Sequence, residues 1–416
     1  MATNRRGLGI AFGALRSGDY RHFALSHLLN SLGSQLLQTV IFWQIFEMTG
    51  SPLLLGLTGL ARALPHIVLS LVGGVVADRL DRVKLIQLGQ LLNSLLVLAL
   101  GLLTVTGQAE VWHLYVVTFL NSGFTAVTQP ARTAILPNLV TRKILVNAVG
   151  LNATIGQTSQ IVGPAIAGVA ISVLGIGATY LVNALLHIFS MFAIIGIAKR
   201  GWVGSTDETP WESFMNGLAF VRSKPVITSL LLLDLGAVVL GSYRALLPIF
   251  SEALGVGPTG YGLLSAAPGV GSMVGAAFIL SLGDMKYKGI YTLFGVMAYS
   301  GALMVFALSP WFTLTLFAAG LLGTTNSIQM IPRNSVILSI SPDYIRGRVE
   351  AFRSMLAGGG PSIGYTLSGS LAVAMGAPMA LVVGAVACAG LVIVVGAVHK
   401  ELRNPYLGSD VERDAD

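Results

Sequence analysis

The chain has 416 residues, of which 54% are hydrophobic and 10% are charged, and its formal net charge is +7. Its mean hydropathy is +0.77, and a soluble domain carries about 25% charged residues, so the composition indicates an integral membrane protein and excludes a soluble multidomain enzyme. The basic residues are dispersed between apolar segments, which favours a role in membrane topology over nucleic-acid binding.

Apolar segments long enough to cross ~30 Å of hydrocarbon as helices, at ~20 residues each, recur along the chain. We predict an all-α integral membrane fold with twelve transmembrane spans, at 20–47, 53–77, 84–106, 111–135, 145–174, 177–198, 226–250, 259–282, 289–308, 311–336, 348–374 and 377–399. The 50 glycines suit close packing of these helices in lipid, where small residues let backbones approach.

Lys and Arg residues are distributed unevenly among the connections between spans. With the N-terminus in the cytoplasm, basic residues such as Arg79, Lys143 and Lys286 fall on the cytoplasmic side. The opposite connections contain neither residue type; they lie near 48–52, 107–110, 175–176, 251–258, 309–310 and 375–376. Because Lys and Arg accumulate in cytoplasmic loops, we expect both termini in the cytoplasm.

Polar residues follow one face of span 1 and one face of span 4. In span 1 they recur at helical spacing, at His27, Asn30, Ser31, Ser34, Gln35 and Gln38. In span 4 the set is Thr118, Asn121, Ser122, Thr125, Gln129 and Arg132. Polar groups are costly against lipid, so both faces point into the bundle. They either bond neighbouring helices or line a substrate cavity, whose candidate residues are Asn30, Ser34, Gln38, Asn121 and Thr125.

A short charged connection joins spans 2 and 3. It contains Gly74, Asp78, Arg79 and Arg82. A glycine permits close helix contact, and a carboxylate at a helix end can accept hydrogen bonds from a neighbouring helix N-terminus. The pattern resembles the G-x-x-x-D-R-x-x-R signature of the major facilitator superfamily, although Asp81 replaces its usual second glycine. The resemblance implies a gate in which Asp78 latches the halves in one state; the alternative is a cluster that only sets topology.

Span 5 contains a proline flanked by glycines, Gly163, Pro164 and Gly168. Proline removes a backbone donor and glycine permits close crossing, so this helix is expected to bend where the halves meet, unless the cluster serves ordinary packing. The segment is similar to the export-associated G-P-x-x-G-G pattern of the superfamily. The chain between about residues 15 and 400 resembles the branch that includes bacterial enterobactin exporters and macrolide efflux proteins.

The longest connection, between spans 6 and 7, divides the chain into two halves. We predict an N-terminal six-helix bundle at 1–198, a linker at 199–225, a C-terminal six-helix bundle at 226–399 and a cytoplasmic tail at 400–416. Thr209 followed by Pro210 predicts the start of a linker helix. Apolar residues then recur at helical spacing and predict an amphipathic, interfacial helix; they are Trp211, Phe214, Met215, Leu218 and Val221.

The two halves share an ordered series of similar residues. A shift of 206 residues aligns Gly56 with Gly262 and Asp78 with Asp284, and a shift of 201 aligns Arg132 with Arg333. Duplicated halves imply a substrate path along the axis between them, which favours alternating access over a channel.

Ionisable residues within spans are functional candidates by default. Asp234 follows a leucine-rich stretch, and we expect no basic partner at its depth, so it is our candidate for proton coupling. Glu47, at the outer end of span 1, is the second coupling candidate. Arg62 and Arg244 lie in the same outer half, where they either contact substrate or pair with Glu47.

The sequence contains no assembled catalytic motif, so we expect no enzyme, catalytic residue, cofactor or metal site; the single cysteine, Cys388, excludes an internal disulfide. The resemblance implies a monomeric secondary transporter in the bacterial inner membrane. It would export a small amphipathic molecule, siderophore or drug-like, in exchange for protons. Its partners would be that substrate, protons and the lipid bilayer. An importer of a small organic solute and a non-transporting sensor or scaffold remain the alternatives, and substrate-dependent flux separates them.

Overall fold

The structure is a computed structural model that describes residues 13–197, 210–283 and 285–404. Within these ranges, the side chains at 71–79, 210–211, 213–214, 343–344 and 351 are outside the description. The described residues form an all-helical protein. Nine of its described helical segments are long and apolar enough to cross a membrane.

The first half of the chain forms six long helices. They are α1 (Gly18–Thr49), α2 (Pro52–Arg79), α3 (Arg82–Val105), α4 (Val111–Leu139), α5 (Leu145–Leu174) and α6 (Ile176–Ile195). Short 3₁₀ turns precede α1 and α5, at Gly13–Arg16 and Arg142–Ile144. Each helix starts within two residues of its predicted span. The ends of α2 and α4 lie two and four residues beyond the predicted ones.

The second half begins with the linker helix and continues through the remaining spans. Its helices are α7 (Pro210–Ser223), α8 (Pro225–Leu240), α9 (Leu247–Ala253), α10 (Gly257–Ser281), α11 (Lys288–Leu308), α12 (Phe312–Ile340), α13 (Asp343–Met375) and α14 (Ala377–Val398). A 3₁₀ turn at Lys400–Arg403 follows α14. The linker helix was predicted, and its buried Val221 packs in one cluster with Ile345 and Val349 of α13.

Span 7 is broken, so the prediction of one continuous helix at 226–250 was wrong. Helix α8 ends at Leu240, a 3₁₀ turn covers Arg244–Leu246, and α9 starts at Leu247. Pro248, in the first turn of α9, has no backbone donor to continue a helix from the preceding turn. The Gly241 carbonyl, freed at the break, accepts a hydrogen bond from Tyr299 Oη at 2.8 Å. The break therefore costs little backbone hydrogen bonding.

The chain divides into two compact units. The first contains residues Met1–Gln44 and Leu64–Pro210. Its core includes the fully buried side chains of Tyr20, Phe23, Ile86 and Ile135. Tyr20 Oη also donates a hydrogen bond to the Ala148 carbonyl at 3.0 Å, which ties α1 to α5.

The second unit contains residues Ile45–Ala63 and Trp211–Asp416. Close glycine crossings hold its helices together. A side chain at Gly271 of α10 would overlap the backbone of Gly320 in α12, and one at Gly59 would overlap the backbone of Ser362 in α13. These crossings follow the rule for helices in lipid, where small residues allow van der Waals contact between backbones.

Candidate transport site

A buried ion pair joins α8 to α12 in the second unit. Arg333 Nη1 lies 2.7 Å from Asp234 Oδ1, and the two side chains are 3% and 11% exposed. The same Nη1 donates to Gln329 Oε1 at 3.0 Å. The expectation that Asp234 has no basic partner at its depth was therefore wrong.

The error arose from the end of span 10. The predicted span stops at 336, which placed Arg333 at its last turn, whereas α12 continues to Ile340. At ~1.5 Å per residue, Arg333 then lies ~10 Å before the end of α12, and Asp234 lies ~13 Å after the start of α8. The two groups thus share a depth. The alignment of Arg333 with Arg132 was the signal in the sequence that could have singled out this arginine.

Two further charges extend the pair into a network. Arg353 of α13 forms a salt bridge with Glu350, one turn earlier in the same helix, and its Nε donates to Glu350 Oε2 at 2.8 Å. The charge of Arg353 acts on both Arg333 and Asp234. Three helices therefore contribute two arginines and two carboxylates to one partly buried cluster.

The half-buried Arg244 lies in the 3₁₀ turn that breaks span 7. Tyrosines surround it: its guanidinium bonds to Tyr243, and its charge acts on Tyr299 and Tyr365. All three tyrosines are buried. The Tyr243 ring packs against Phe306, with ring centroids 5.5 Å apart. The arrangement places one cation among aromatic faces and hydroxyl groups.

The two other charged candidates lie on α1 and α2. Glu47 is exposed near the end of α1, and Arg62 is half-buried in α2. Both side chains take part in interactions, so neither is a free charge.

The polar faces of α1 and α4 are in the first unit. Asn30, Ser34, Gln38, Asn121 and Thr125 are all half-buried. The hydroxyls of Ser34 and Thr125 each donate to the carbonyl four residues earlier in their own helix, at 2.8 Å. Asn121 Nδ2 donates to Asn93 Oδ1 of α3 at 3.0 Å. One of the five side chains thus bonds a neighbouring helix, and two satisfy themselves locally.

The residues of the predicted gate fall partly outside the described side chains. The backbone of α2 is helical through Gly74, Asp78 and Arg79, but their side chains lie outside the description, as does the whole of residue 284. Arg82 is buried, and its Nη1 donates to the Ala134 carbonyl of α4 at 3.0 Å. Asp81 caps α3 by accepting bonds from the next two backbone amides but one and two, Val83 at 2.9 Å and Lys84 at 3.2 Å.

The proline of span 5 lies inside a continuous helix. Gly163, Pro164 and Gly168 are all buried in α5. A side chain at Gly163 would lie 2.6 Å from Gln35 Cβ of α1. The glycine therefore permits a close α1–α5 approach. In the described part of the chain, no three His, Cys, Asp or Glu side chains come together in a group that could hold a metal ion.

The family model of the transmembrane secretion effectors matches residues 10–412. The chain belongs to this family of major facilitator transporters. As a member, it is a multi-pass membrane protein and a secondary transporter of a small molecule, not an enzyme.

Relatives and solved structures agree with this membership. The secretion effector is 27% identical to the transporter YfiS of Bacillus subtilis strain 168, over 90% of both chains. It is 25% identical to the enterobactin exporter EntS of Citrobacter koseri, over 90% of this chain and 89% of that one. Its fold matches the nucleoside transporter NupG, with a TM-score of 0.74 and 14% identity over 91% and 99% of the two chains. A bacterial homologue of the lysosomal transporter Spinster gives 0.72 at 16% identity, over 93% and 98%.

Proposed function

We propose that this transporter exports a small amphipathic organic molecule, siderophore-like or drug-like, from the bacterial cytoplasm in exchange for protons. The family is described as secretion effectors, and the printed names of several relatives are those of enterobactin exporters. The protein would act as a monomer in the inner membrane, with both termini in the cytoplasm, where the positive-inside rule puts them.

The buried ion pair of Asp234 and Arg333 carries the coupling part of the proposal. Both charges are almost fully removed from solvent, so the state of the pair depends on whether the carboxylate is ionised. A proton on Asp234 removes the attraction and leaves Arg333 close to the second cation, Arg353. An uncompensated buried charge is costly, so protonation favours a rearrangement of α8 against α12. Glu47 is exposed, and a solvated carboxylate has less to gain from such a change.

Arg244 and its tyrosines form the proposed contact for the substrate in the second unit. The break of span 7 leaves irregular backbone beside them, and transporter substrates bind at such broken helices. Aromatic faces suit the apolar part of an amphipathic molecule, and the guanidinium and hydroxyls suit its oxygen atoms. Arg62 and the half-buried polar faces of α1 and α4 would supply further polar contacts.

The connection between α2 and α3 is the proposed gate. Arg82 is fixed to α4 through the Ala134 carbonyl, and the Asp81 cap defines where α3 begins. This holds the connection in one shape, so that Asp78, with Gly74 and Arg79 beside it, can serve as a latch that forms in one state and opens in the other. Bending at Gly163, Pro164 and Gly168 would accompany that exchange.

The test compares cells with and without the protein for accumulation of siderophores, macrolides and hydrophobic cations. Export predicts that at least one compound accumulates less when the protein is present, and that Arg244→Gln at equal expression restores its level. Higher accumulation would make the protein an importer. If no compound in the panel changed in either direction, a sensor or scaffold would replace the transporter proposed here.

A further inference from the structure

The first unit contains a buried arginine without a counter-charge. Arg132 of α4 is 5% exposed, and its Nη1 is buried without a hydrogen-bond partner. Its charge acts on two imidazoles, those of His27 in α1 and His187 in α6. In the part of the chain that the structure describes, no carboxylate forms a salt bridge with it. An ionisable group in this position is costly unless a partner compensates it.

The internal repeat shows what the missing partner is. Arg132 aligns with Arg333, which has the carboxylate of Asp234 at 2.7 Å. A shift of 206 residues aligns Asp234 with Leu28, the neighbour of His27 in α1. The second unit therefore supplies its own anion to the repeated arginine, whereas the first unit offers a leucine and a histidine. The site around Arg132 is electrostatically complete only when an anion comes from outside the described unit.

The surroundings of Arg132 suit a molecule of some length. His27 and Arg132 stand at corresponding ends of the two polar faces, beyond Asn30 in α1 and Thr125 in α4. The side chains along both faces are half-buried rather than sealed in packing. His187 lies on the other side of α1, where a side chain at Gly33 would lie 3.0 Å from its Nε2. An acidic head group could thus reach Arg132 while the remainder of the molecule follows the polar faces.

We propose that Arg132 binds the anionic group, carboxylate or another oxyanion, of an acidic amphipathic substrate. This inference rests on the proposed function, since it names the class of molecule that the transporter carries. Arginine suits the role because its planar fork can donate two hydrogen bonds to an oxyanion. His27 and His187 are neighbours of the guanidinium and are not assigned to the bound group.

The test measures binding to the full chain in phosphatidylcholine nanodiscs by fluorescence. The probes are dansylglycine, an anion, and dansylglycinamide, which has the same ring without the charge. A charge-assisted hydrogen bond corresponds to about 10-fold to 100-fold in affinity, so we expect the wild type to bind the acid at least about 10-fold more tightly than the amide. Arg132→Gln should lose this preference, and Arg142→Gln, at an exposed position, should keep it.

A second pair of variants supplies the missing partner from within. His27→Asp places a carboxylate beside Arg132, as Asp234 lies beside Arg333, and should remove the preference even if Arg132→Gln does not fold. His27→Asn, of the same shape without the charge, should retain it. Equal affinities for the two probes in the wild type, including no binding of either, would overturn the proposal. So would a preference that survives His27→Asp.

Failure of this inference can be told apart from failure of the proposed export. Flux of the same two probes is followed in proteoliposomes that contain the wild-type chain. Flux without any preference for the acid would refute the role of Arg132 and leave export standing. A preference in binding that depends on Arg132, together with a complete absence of flux, would refute export and leave the anion site standing.

Discussion

Asp234→Asn should separate substrate movement from proton coupling. The substitution changes little in shape but removes the negative charge that lies 2.7 Å from Arg333 Nη1. Removing one partner of a buried pair costs about 3–5 kcal/mol. The amide oxygen can still accept one hydrogen bond, worth about 1 kcal/mol. We therefore expect the free energy of unfolding to fall by about 2–4 kcal/mol.

A double-mutant cycle identifies the source of that loss. Arg333→Gln removes the charge left unpaired by the first substitution, so the double variant should be more stable than Asp234→Asn alone. The sum of the single effects should exceed the double effect by at least about 1 kcal/mol, as expected for groups in direct contact. Additive effects would show that the two side chains do not depend on each other, and the ion pair would then carry no coupling argument.

Transport by the same variant is measured in proteoliposomes with and without a pH gradient. Because the neutral side chain cannot exchange a proton, we expect Asp234→Asn to lose uphill efflux while still equilibrating substrate down its own gradient. The control is Glu47→Gln, which leaves the buried network intact. If Asp234→Asn retained uphill efflux that follows the pH gradient, Asp234 would have only a packing role, and coupling would have to be sought at Glu47 or elsewhere.

Three further outcomes follow from the gate, the packing and the topology. Asp78→Asn should impair transport without preventing membrane insertion, because a lost latch changes the balance of states rather than the folding of single helices; wild-type flux at normal expression would contradict the gate. Gly271→Ala should lower the free energy of unfolding by about 1–3 kcal/mol, whereas Gly301→Ala, which has open space around it, should leave it nearly unchanged; equal effects would contradict the close crossing. Single cysteines introduced at Gln108 and Asp284 in a Cys388→Ser background should be labelled from outside and inside the cell respectively, and the reverse pattern would invert the topology.

The sequence predicts helices best where local signals mark both ends. Helix α5 was predicted at 145–174, and the structure has it at Leu145–Leu174. Arg142 and Lys143 precede its start. Gly175 follows its end with φ at +80°, a conformation that favours glycine and stops a helix. Where apolar residues continue past the predicted end, as after position 336 in α12, no such signal was available.

The contacts of the candidate site are harder to predict because they depend on depth in three dimensions. A change of four residues at the end of α12 moves Arg333 by ~6 Å along the helix axis, enough to bring it level with Asp234. The break between α8 and α9 was also missed, since hydrophobicity continues through Gly241 and Pro248. Hydropathy reports which residues are in the membrane; it does not report which carbonyls a neighbouring Tyr299 can satisfy.

Coupled export is tested most directly by proton movement in everted membrane vesicles that respire and acidify their interior. A pH-sensitive dye reports the gradient while compounds from the siderophore, macrolide and hydrophobic-cation panel are added one at a time. The account predicts that a compound whose accumulation depends on the protein dissipates the gradient in vesicles with the wild-type chain, and that it does not do so with Asp234→Asn. Protein-dependent movement of that compound into wild-type vesicles with no loss of the proton gradient would contradict proton-coupled export.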